Sequence, residues 1–543
     1  MGLKQILGIW CGAALLSVAS FGASSSAVAD AAMNKDKEAL RSLVAQKADV
    51  NAPQADGATA LHWAARWDDL EMAGLLIRAG ANARAANRDG ASPLFLACLN
   101  GNAALIEALL KAGADPNAPL LSHRETALMM AARSGNVDAV KALLDHGAKV
   151  NATETLRETT ALMWAAEQGH AAVIQLLIAR GADMRAQSKV VTPLVRQGLG
   201  FAAGAAVYGG RTDGKYAITR GNLRGGLTAL IYAVREGCLD CVRALVSAGA
   251  VVSQTSVEGS SPLLVAVQNG AYDIALYLMD HGANLNQANE KGWTPLYLAV
   301  KNRNQETTAI PGPNTEGVMD FIKTLLDRGA EPNVRIRAET EVHQGMSSMW
   351  LKEAGATPLL RAALCGDLPV VQLLLVHGAD PLIPTFDHTT PLMVASGVGW
   401  ADGMIREYSE DQTFEVVKLL LDRGSDVNAV NDHGITPLHG AAFKGANKAV
   451  QLLVDRGAKL DAQDHGEDYG FGASSAKMTP LNWAEGVPIG MSSAIFHKET
   501  VALLTRLMTE RGIPVVSNVF RGRRSDDYVF GNGIGDATPA PAK

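Results

Sequence analysis

The chain is poor in aromatic residues and has no strong excess of either charge. Aromatic residues make up 5% of its 543 residues, and 49 Lys and Arg stand against 55 Asp and Glu, for a formal net charge of −6. No face-wide surplus of basic residues is visible, which argues against nucleic acid as a partner. Alanine and leucine must therefore supply most of the core, which suits short, closely packed helices.

Long apolar runs are lacking outside the N-terminus. Lys4 precedes an apolar run at 6–19, and Ala-Val-Ala at 27–29 has the pattern of a signal-peptidase site. The run is shorter than the roughly 20 residues that span a bilayer. We therefore predict a signal peptide at 1–29, an exported protein in the periplasm or outside the cell, and no membrane span after cleavage. An uncleaved anchor is the alternative.

A tetrapeptide of the form Thr/Ser-Pro/Ala-Leu-x recurs along the chain, at steps of 33 or 34 residues where nothing interrupts it. Thr or Ser caps a helix N-terminus well and Pro fits the first turn, so each tetrapeptide predicts the start of a short helix. An Ala-rich segment, a Gly, a Leu-rich segment and a Gly-Ala turn follow, which predicts a second helix. The tetrapeptides begin at Thr59, Ser92, Thr126, Thr160, Thr228, Ser261, Thr294, Thr357, Thr390, Thr436 and Thr479.

This period, together with the T-P-L-H-x-A pattern, resembles the ankyrin repeat. The resemblance implies an all-α ankyrin-repeat solenoid of helix-turn-helix units with β-hairpin fingers. A single helix pair is too thin to bury both its faces, so stacking of neighbours would stabilise the array. We predict an N-terminal capping repeat at 30–54, an array of about eleven repeats at 55–514 and a disordered tail at 515–543.

Several insertions interrupt the period, and a solenoid tolerates insertions at loops that often lie on its binding side. Their aromatic residues include Trp350, Trp400 and Tyr408. Rigid aromatic side chains on loops favour an interaction surface; packing back onto the array is the alternative. The insertions lie near 190–226, 305–317, 335–354, 396–412, 465–478 and 486–497.

Ankyrin arrays usually bind through their fingers and the exposed end of the first helix, so the resemblance implies partner-binding residues there. An ordinary solvated face is the alternative for most of them. By the same frame, Trp63, Trp164 and Trp483 are predicted to lie in the core. The predicted partner-binding residues, with those on the insertions, are Arg66, Trp67, Arg88, Arg124, Arg133, Arg157, Glu167, Arg235, Trp350, Trp400, Tyr408 and Phe443.

Four cysteines follow the predicted signal peptide. Cys98 falls in a small-residue column and is predicted to pack in the core, whereas Cys365 falls in the exposed pair and is predicted to be a free thiol. Cys238 and Cys241 form a C-x-x-C motif at a helix start, which fits ordinary packing, a structural disulfide or a redox pair. The βαβ context of a thioredoxin-like site is absent from the pattern.

Motifs of catalytic chemistry are lacking. No H-E-x-x-H, G-x-S-x-G or Walker-type loop occurs, and the Gly-rich segment at 198–204 misses the dinucleotide spacing. We therefore predict no enzymatic activity, no cofactor and no metal. The predicted function is an exported scaffold that binds protein partners through its fingers, concave face and insertion loops. The alternatives are a redox-linked or enzyme-assisting envelope protein that uses Cys238 and Cys241, and a secreted effector.

Overall fold

The chain, described here as a computed structural model, divides into two compact units, Met1–Ala186 and Gln187–Lys543. The division falls next to the predicted insertion at 190–226. The structure describes residues 26–119, 123–192, 194–196, 218–220, 223–304, 317–338, 351–400, 409–466, 477–487 and 495–517.

The first unit consists of helix pairs stacked one after another. The first helices of successive pairs contact each other and form one row, and the second helices form the other. We call these the first-helix row and the second-helix row. Its described helices are α1 Ala27–Met33, α2 Lys37–Ala45, α3 Ala60–Arg66, α4 Leu70–Arg78, α5 Pro93–Asn100, α6 Ala103–Lys111, α7 Ala127–Ser134, α8 Val137–Asp145, α9 Ala161–Glu167 and α10 Ala171–Ala179.

The second unit repeats the same arrangement of helix pairs, and it also contains two short antiparallel strands, β1 Leu194–Arg196 and β2 Ile218–Arg220. The strands pair with Leu194 opposite Arg220, inside the insertion at 190–226. Its described helices are α11 Ala229–Glu236, α12 Leu239–Ser247, α13 Pro262–Gln268, α14 Tyr272–Asp280, α15 Pro295–Arg303, α16 Val318–Asp327, α17 Pro358–Cys365, α18 Leu368–Val376, α19 Pro391–Ser396, α20 Glu410–Asp422, α21 Pro437–Lys444, α22 Asn447–Asp455, α23 Pro480–Ala484 and α24 Lys498–Glu510.

Each predicted tetrapeptide starts a first helix, with its Thr or Ser at the N-cap. The Thr126 hydroxyl, for example, accepts the Met129 N–H at 3.3 Å. Such a bond satisfies one backbone N–H that the helix leaves unpaired, which contributes about 1 kcal/mol. The repeat pattern therefore predicts the helix starts correctly.

The core of each unit lies between its two rows. Small residues such as Ala131 and Ala165 line the first helices, and leucines such as Leu76, Leu109 and Leu143 line the second helices, all fully buried. Each buried leucine stabilises the fold by about 1.5–3 kcal/mol. The alanines allow the first helices to pack closely, so both faces of each thin pair are covered by its neighbours.

The Gly-Ala turns are joined by an asparagine ladder. The Asn117 amide group donates to the Gly147 carbonyl of the next repeat at 2.9 Å, and its oxygen accepts the Lys149 N–H at 2.8 Å. Asn151 makes the same two bonds to Gly181 and Asp183. The asparagine of the Gly-Ala-x-x-Asn element thus links each such repeat to the next.

The fingers do not confirm the expected β-hairpins. Within a finger, two backbone hydrogen bonds close a turn, as from the Asn87 N–H to the Ala91 carbonyl at 2.9 Å and from the Gly90 N–H to the Asn87 carbonyl at 3.0 Å. One further bond reaches the preceding finger, from the Arg88 N–H to the Asp56 carbonyl at 2.9 Å. Isolated backbone hydrogen bonds of this kind close turns, but they do not form the ladder of hydrogen bonds that pairs two strands. In the described ranges, the strands lie only in the insertion at 190–226.

The first repeat begins before the predicted boundary at residue 30. Ser26 is the N-cap of α1, and its hydroxyl accepts the Ala29 N–H at 3.1 Å. Val28 and Ala29 are buried. A serine cap thus replaces the missing tetrapeptide, and the Ala-Val-Ala at 27–29 forms the first turn of this helix. Residues 1–25 of the predicted signal peptide, most residues of the insertions, and 518–543 of the predicted tail lie outside the described residues.

Candidate functional site

Trp164, on helix α9 of the first unit, is held by a chain of hydrogen bonds. Its indole N–H donates to the Thr159 hydroxyl at 2.8 Å, and that hydroxyl donates to the Glu154 carboxylate at 2.7 Å. The tryptophan is 8% exposed, as its predicted core position requires. The ring is therefore fixed at the base of the finger that precedes α9.

Glu154 shapes that finger. Its buried carboxylate accepts the backbone N–H groups of Arg157 and Thr159 at 2.9 and 3.0 Å. Burial alone would raise the pKa of Glu154, but the hydrogen bonds from Thr159 and the finger backbone outweigh it and lower the pKa. The ionised carboxylate thus holds Arg157 close to Trp164.

Two arginines lie over the Trp164 ring. The guanidinium carbons of Arg133 and Arg157 are each 5.8 Å from its centroid, within the range of cation–π attraction. Arg157 also donates twice to the Glu167 carboxylate, at 3.0 and 3.2 Å. Arg133 makes no ion pair with any residue that the structure describes. With Gln168, these side chains line an open pocket of about 210 Å³.

This pocket brings together Arg133, Arg157 and Glu167, three of the predicted partner-binding residues. Its platform, Trp164, was predicted only as a core residue. The sequence pattern places Trp164 on the buried side of α9, and it does not reveal that one face of the ring supports two arginines.

A second arginine–tryptophan cluster lies at α3 of the same unit. The rings of Trp63 and Trp67 stack at 5.9 Å, and the Arg66 guanidinium lies 5.8 and 5.9 Å from their centroids. Lys35 places its ammonium 4.2 Å from the Trp67 centroid. Trp63 is half-buried rather than a full core residue, because its N–H reaches out to the Gln54 side chain at 2.7 Å.

Sequence reasoning missed Lys35. It takes a left-handed backbone conformation, with φ 56°, at the position where later repeats have the helix-ending glycine. A search for that glycine passes over this turn. Lys35 and the two residues before it, which correspond to the exposed pair of later repeats, were therefore not assigned as partner-binding residues.

Other predicted residues stand apart. Arg88 and Arg124 are exposed on fingers of the first unit, and Arg235 is exposed at the end of α11 in the second unit. Trp350 and Tyr408 lie outside the described residues. These three arginines belong neither to the pocket at Trp164 nor to the aromatic cluster at Trp63 and Trp67.

The expectation that Phe443 is an exposed contact residue is wrong. Its side chain is 4% exposed, and its ring meets Trp400 and Trp483 edge-on at 6.0 and 5.8 Å. Burial of three aromatic rings against each other is favourable, which draws Phe443 inward. Trp400, from the insertion near 396–412, thus packs back onto the array.

The cysteines divide into a bonded pair and two buried thiols. Cys238 and Cys241 form a disulfide, and the Cys238 sulfur at the N-cap of α12 accepts the Cys241 N–H at 3.2 Å. Cys98 is fully buried, as predicted, and burial raises the pKa of its thiol. The expectation that Cys365 is exposed is wrong: it is 1% exposed, and its thiol donates to the Asn304 carbonyl at 3.8 Å.

Two kinds of feature are absent from the ranges that the structure describes. No three His, Cys, Asp or Glu side chains gather there as a metal site would require. None of the helices in those ranges is both long and apolar enough to cross a bilayer.

The chain is similar to several known proteins over part of its length. It is 32% identical over 115 residues to the E3 ubiquitin-protein ligase KEG of Arabidopsis thaliana, covering 21% of this chain and 6% of that protein. It is 35% identical over 121 residues to the putative ankyrin repeat protein FPV219 of Fowlpox virus, covering 19% and 27% respectively. With the human neurogenic locus notch homolog protein 2 it shares 31% identity over 150 residues, covering 27% and 5%. The chain thus spans about a quarter or less of these relatives.

Among solved structures, the human ASB11 ankyrin repeat domain matches 51% of this chain and all of that domain, at 27% identity and a TM-score of 0.37. The family model for ankyrin repeats in three copies matches 28–119, 120–188, 249–310 and 407–486, which together exceed half of the chain. The single ankyrin repeat matches 225–256, 291–337 and 354–386. The family-model matches show that the chain belongs to the ankyrin-repeat family.

Proposed function

We propose that this protein is an exported scaffold, not an enzyme, and that it binds a protein partner through the first-helix row and fingers of its first unit. One observation carries the proposal: the Arg133 guanidinium lies over the fixed ring of Trp164 and pairs with no described carboxylate. Arginine and tryptophan are the residues that most often dominate binding energy at protein interfaces. An unpaired guanidinium beside an open pocket is suited to a partner's acidic group.

The cation–π contacts of the first-helix row support this choice of surface. In the second-helix row, Lys37 pairs with Asp69 at 2.7 Å and Arg180 pairs with Asp145 at 2.7 Å. These cations have their counterions within the unit. Arg66 and Arg133, in the first-helix row, have none among the described residues and lie on tryptophan rings instead.

Export is the part of the proposal that rests on the sequence alone. The apolar run at 6–19 after Lys4 supports a signal peptide, and the destination would be the periplasm or the extracellular space. Fractionation of cells that express the full chain with a C-terminal tag tests it. We expect the tag outside the cytoplasm; a tag that stays wholly in the cytoplasm would remove export from the proposal.

Cross-linked capture from the envelope fraction tests the scaffold. Wild-type protein is compared with Arg133→Glu and with Lys141→Glu, a matched change on an exposed lysine of α8 in the second-helix row. We expect one set of partners with wild type and Lys141→Glu, and at least a tenfold loss with Arg133→Glu. Equal recovery with all three, or no specific partner with any, would contradict the proposal.

A redox role is the second candidate, because Cys238 and Cys241 form a disulfide at the start of α12. Cys238→Ser keeps a side chain that can cap the helix, since serine is a favoured N-cap. If the disulfide acts in envelope redox chemistry, cells that carry this variant should be more sensitive to oxidising stress than cells with the wild-type protein. Equal sensitivity would leave the disulfide a structural role only.

A further inference from the structure

Three cations in the first-helix row of the first unit lie on tryptophan rings. Lys35 and Arg66 lie over Trp67, and Arg133 lies over Trp164. None of the three forms an ion pair with a described residue. A cation on an aromatic face keeps its N–H groups available for an anion while the ring excludes water from one side.

Arg66 and Arg133 occupy equivalent positions, with an apolar residue midway. Arg66, Leu99 and Arg133 each stand seven residues after the N-cap of their helix, in three successive repeats. We call these three residues the arginine column. Leu99 is 49% exposed, although large apolar side chains are usually covered. Along the column, a cationic side chain is therefore followed by an apolar one and then by a second cationic one.

The spacing sets the length of a ligand that could contact all three positions. Helices α3, α5 and α7 are successive neighbours in the row, and packed helices lie about 8–10 Å apart. At that spacing, Arg66 and Arg133 would lie about 16–20 Å apart. An extended peptide advances about 3.3 Å per residue and alternates its faces, so side chains six positions apart would span this distance on one face.

We propose that the arginine column binds an extended acidic segment of a protein partner. One carboxylate of the segment pairs with Arg66 beside Lys35, an apolar side chain lies on Leu99, and a second carboxylate pairs with Arg133. This inference rests on the proposed scaffold function and gives it a class of ligand. Arginine binds carboxylates with two parallel hydrogen bonds, which fixes the register of the segment.

The charge distribution favours a peptide over a nucleic acid. Duplex DNA carries one negative charge about every 1.7 Å, and binding requires many basic contacts along it. The column supplies two arginines separated by an exposed leucine, and the next equivalent position is Glu167. An anion of sparse charge with an apolar side chain in between fits this pattern better.

Selection from a library of random twelve-residue peptides on the full chain tests the inference. We expect the selected peptides to carry two acidic residues about six positions apart, with an apolar residue about two or four positions after the first, so that all three side chains lie on one face. Their affinity should fall about tenfold for Arg66→Gln and for Arg133→Gln, while Arg78→Gln on α4 of the second-helix row should match wild type. All three arginine variants should melt within a few degrees of wild type, because no described carboxylate pairs with these side chains and an exposed cation–π contact contributes only about 0.5–1 kcal/mol.

Other outcomes would overturn the inference. The inference fails if the selected peptides lack the acidic spacing. It also fails if they bind the Arg66→Gln/Arg133→Gln double variant as tightly as wild type. A single-stranded oligonucleotide that displaces the peptides and binds more tightly would overturn it as well. Captured envelope partners that ignore the Arg66→Gln/Arg133→Gln double variant but are lost with Arg133→Glu would sink the acidic segment and leave the scaffold intact, whereas peptide binding without any envelope partner would sink the scaffold alone.

Discussion

The indole N–H of Trp164 donates to the hydroxyl of Thr159 at 2.8 Å, which ties the platform of the candidate site to the finger before it. The same device recurs at the equivalent tryptophan in the last repeat, where Trp483 donates to the buried carboxylate of Asp464 at 2.9 Å. In both places a finger residue holds a tryptophan of the following helix. In each place, the finger and the first helix that follows it are therefore joined into one surface.

Thr159→Val should loosen this surface. The substitution keeps the shape but removes both the acceptor for Trp164 and a donor to Glu154, so we expect a loss of about 1–3 kcal/mol in the free energy of unfolding. Hydrogen exchange should also accelerate at the Arg157 amide, which Glu154 protects. Thr153→Val, on an exposed threonine outside this chain of bonds, is the control. Identical exchange in both variants would show that Thr159 does not order the finger.

Asn117→Ala should weaken the coupling between two repeats. It removes one bond to the Gly147 carbonyl and one from the Lys149 N–H, so we expect a loss of about 1–2 kcal/mol in the free energy of unfolding. Urea denaturation measures the loss. Asn82→Ala is the matched control, because the Asn82 side chain bonds only to the nearby Arg84 N–H. A similar loss in both variants would count against the ladder.

His439 should make the fold sensitive to mild acid. Its ring accepts the Thr436 N–H at 3.1 Å and donates to the Met478 carbonyl of the next repeat at 3.1 Å, so the neutral form is bound. Burial lowers the pKa of His439 below its usual 6.5. The unfolded chain then binds more protons than the folded chain below about pH 6.5, so stability falls as pH drops through that range.

The variant His439→Asn distinguishes the contribution of this histidine to the pH dependence of stability from that of other histidines. In the last repeat Asn482 already takes the histidine position, and its oxygen accepts the Thr479 N–H at 3.0 Å. His439→Asn should therefore keep the cap, lower stability at neutral pH, and show a smaller drop in melting temperature between pH 7.5 and 5.5 than wild type. His123→Asn, on an exposed histidine, should keep the full drop. An unchanged drop in His439→Asn would refute the assignment.

If the leader is cleaved, the cut should fall on the N-terminal side of Ser26 and not after Ala29. Cleavage after Ala29 would remove the cap, the buried Val28 and the first three of the seven residues of α1. The mass of the exported protein gives the start of its chain. Ala27→Glu, at an exposed position, would block a cut after the Ala-x-Ala at 27–29. If the cut lies before Ser26, the mass of the exported variant should differ from that of the wild-type protein only by the substitution. An exported chain that begins at Asp30 would contradict this prediction.

The repeat frame could be predicted from the sequence because caps, alanines and glycines act locally. Every Thr or Ser of the tetrapeptides from Thr59 to Thr479 lies at the N-cap of a helix, where a hydroxyl such as that of Thr126 accepts the backbone N–H three residues on. The first repeat was placed too late, because Ser26 lacks the following Pro-Leu pattern. Stacking between repeats decides which residues are covered, and for that reason Phe443 and Cys365 were misplaced: both are buried by residues distant in sequence.

The candidate site was predicted in part. The frame places Arg133, Arg157 and Glu167 at exposed ends of helices and fingers, and the structure brings them to one pocket. The frame cannot reveal the role of Trp164, since one face of its ring is core and the other supports the arginines. Nor could it single out Arg133 over Arg157, because the ion pair with Glu167 depends on a finger shaped by Glu154.

Site-specific photo-crosslinking tests the central claim most directly, namely that the first-helix row of the first unit is the binding surface. A photoreactive amino acid is placed at Gln168, which is exposed beside Trp164, and separately at Lys141 in the second-helix row. Binding through the first-helix row predicts a discrete crosslinked partner from Gln168 and none from Lys141. Crosslinks to the same partner from Lys141, with none from Gln168, would contradict it.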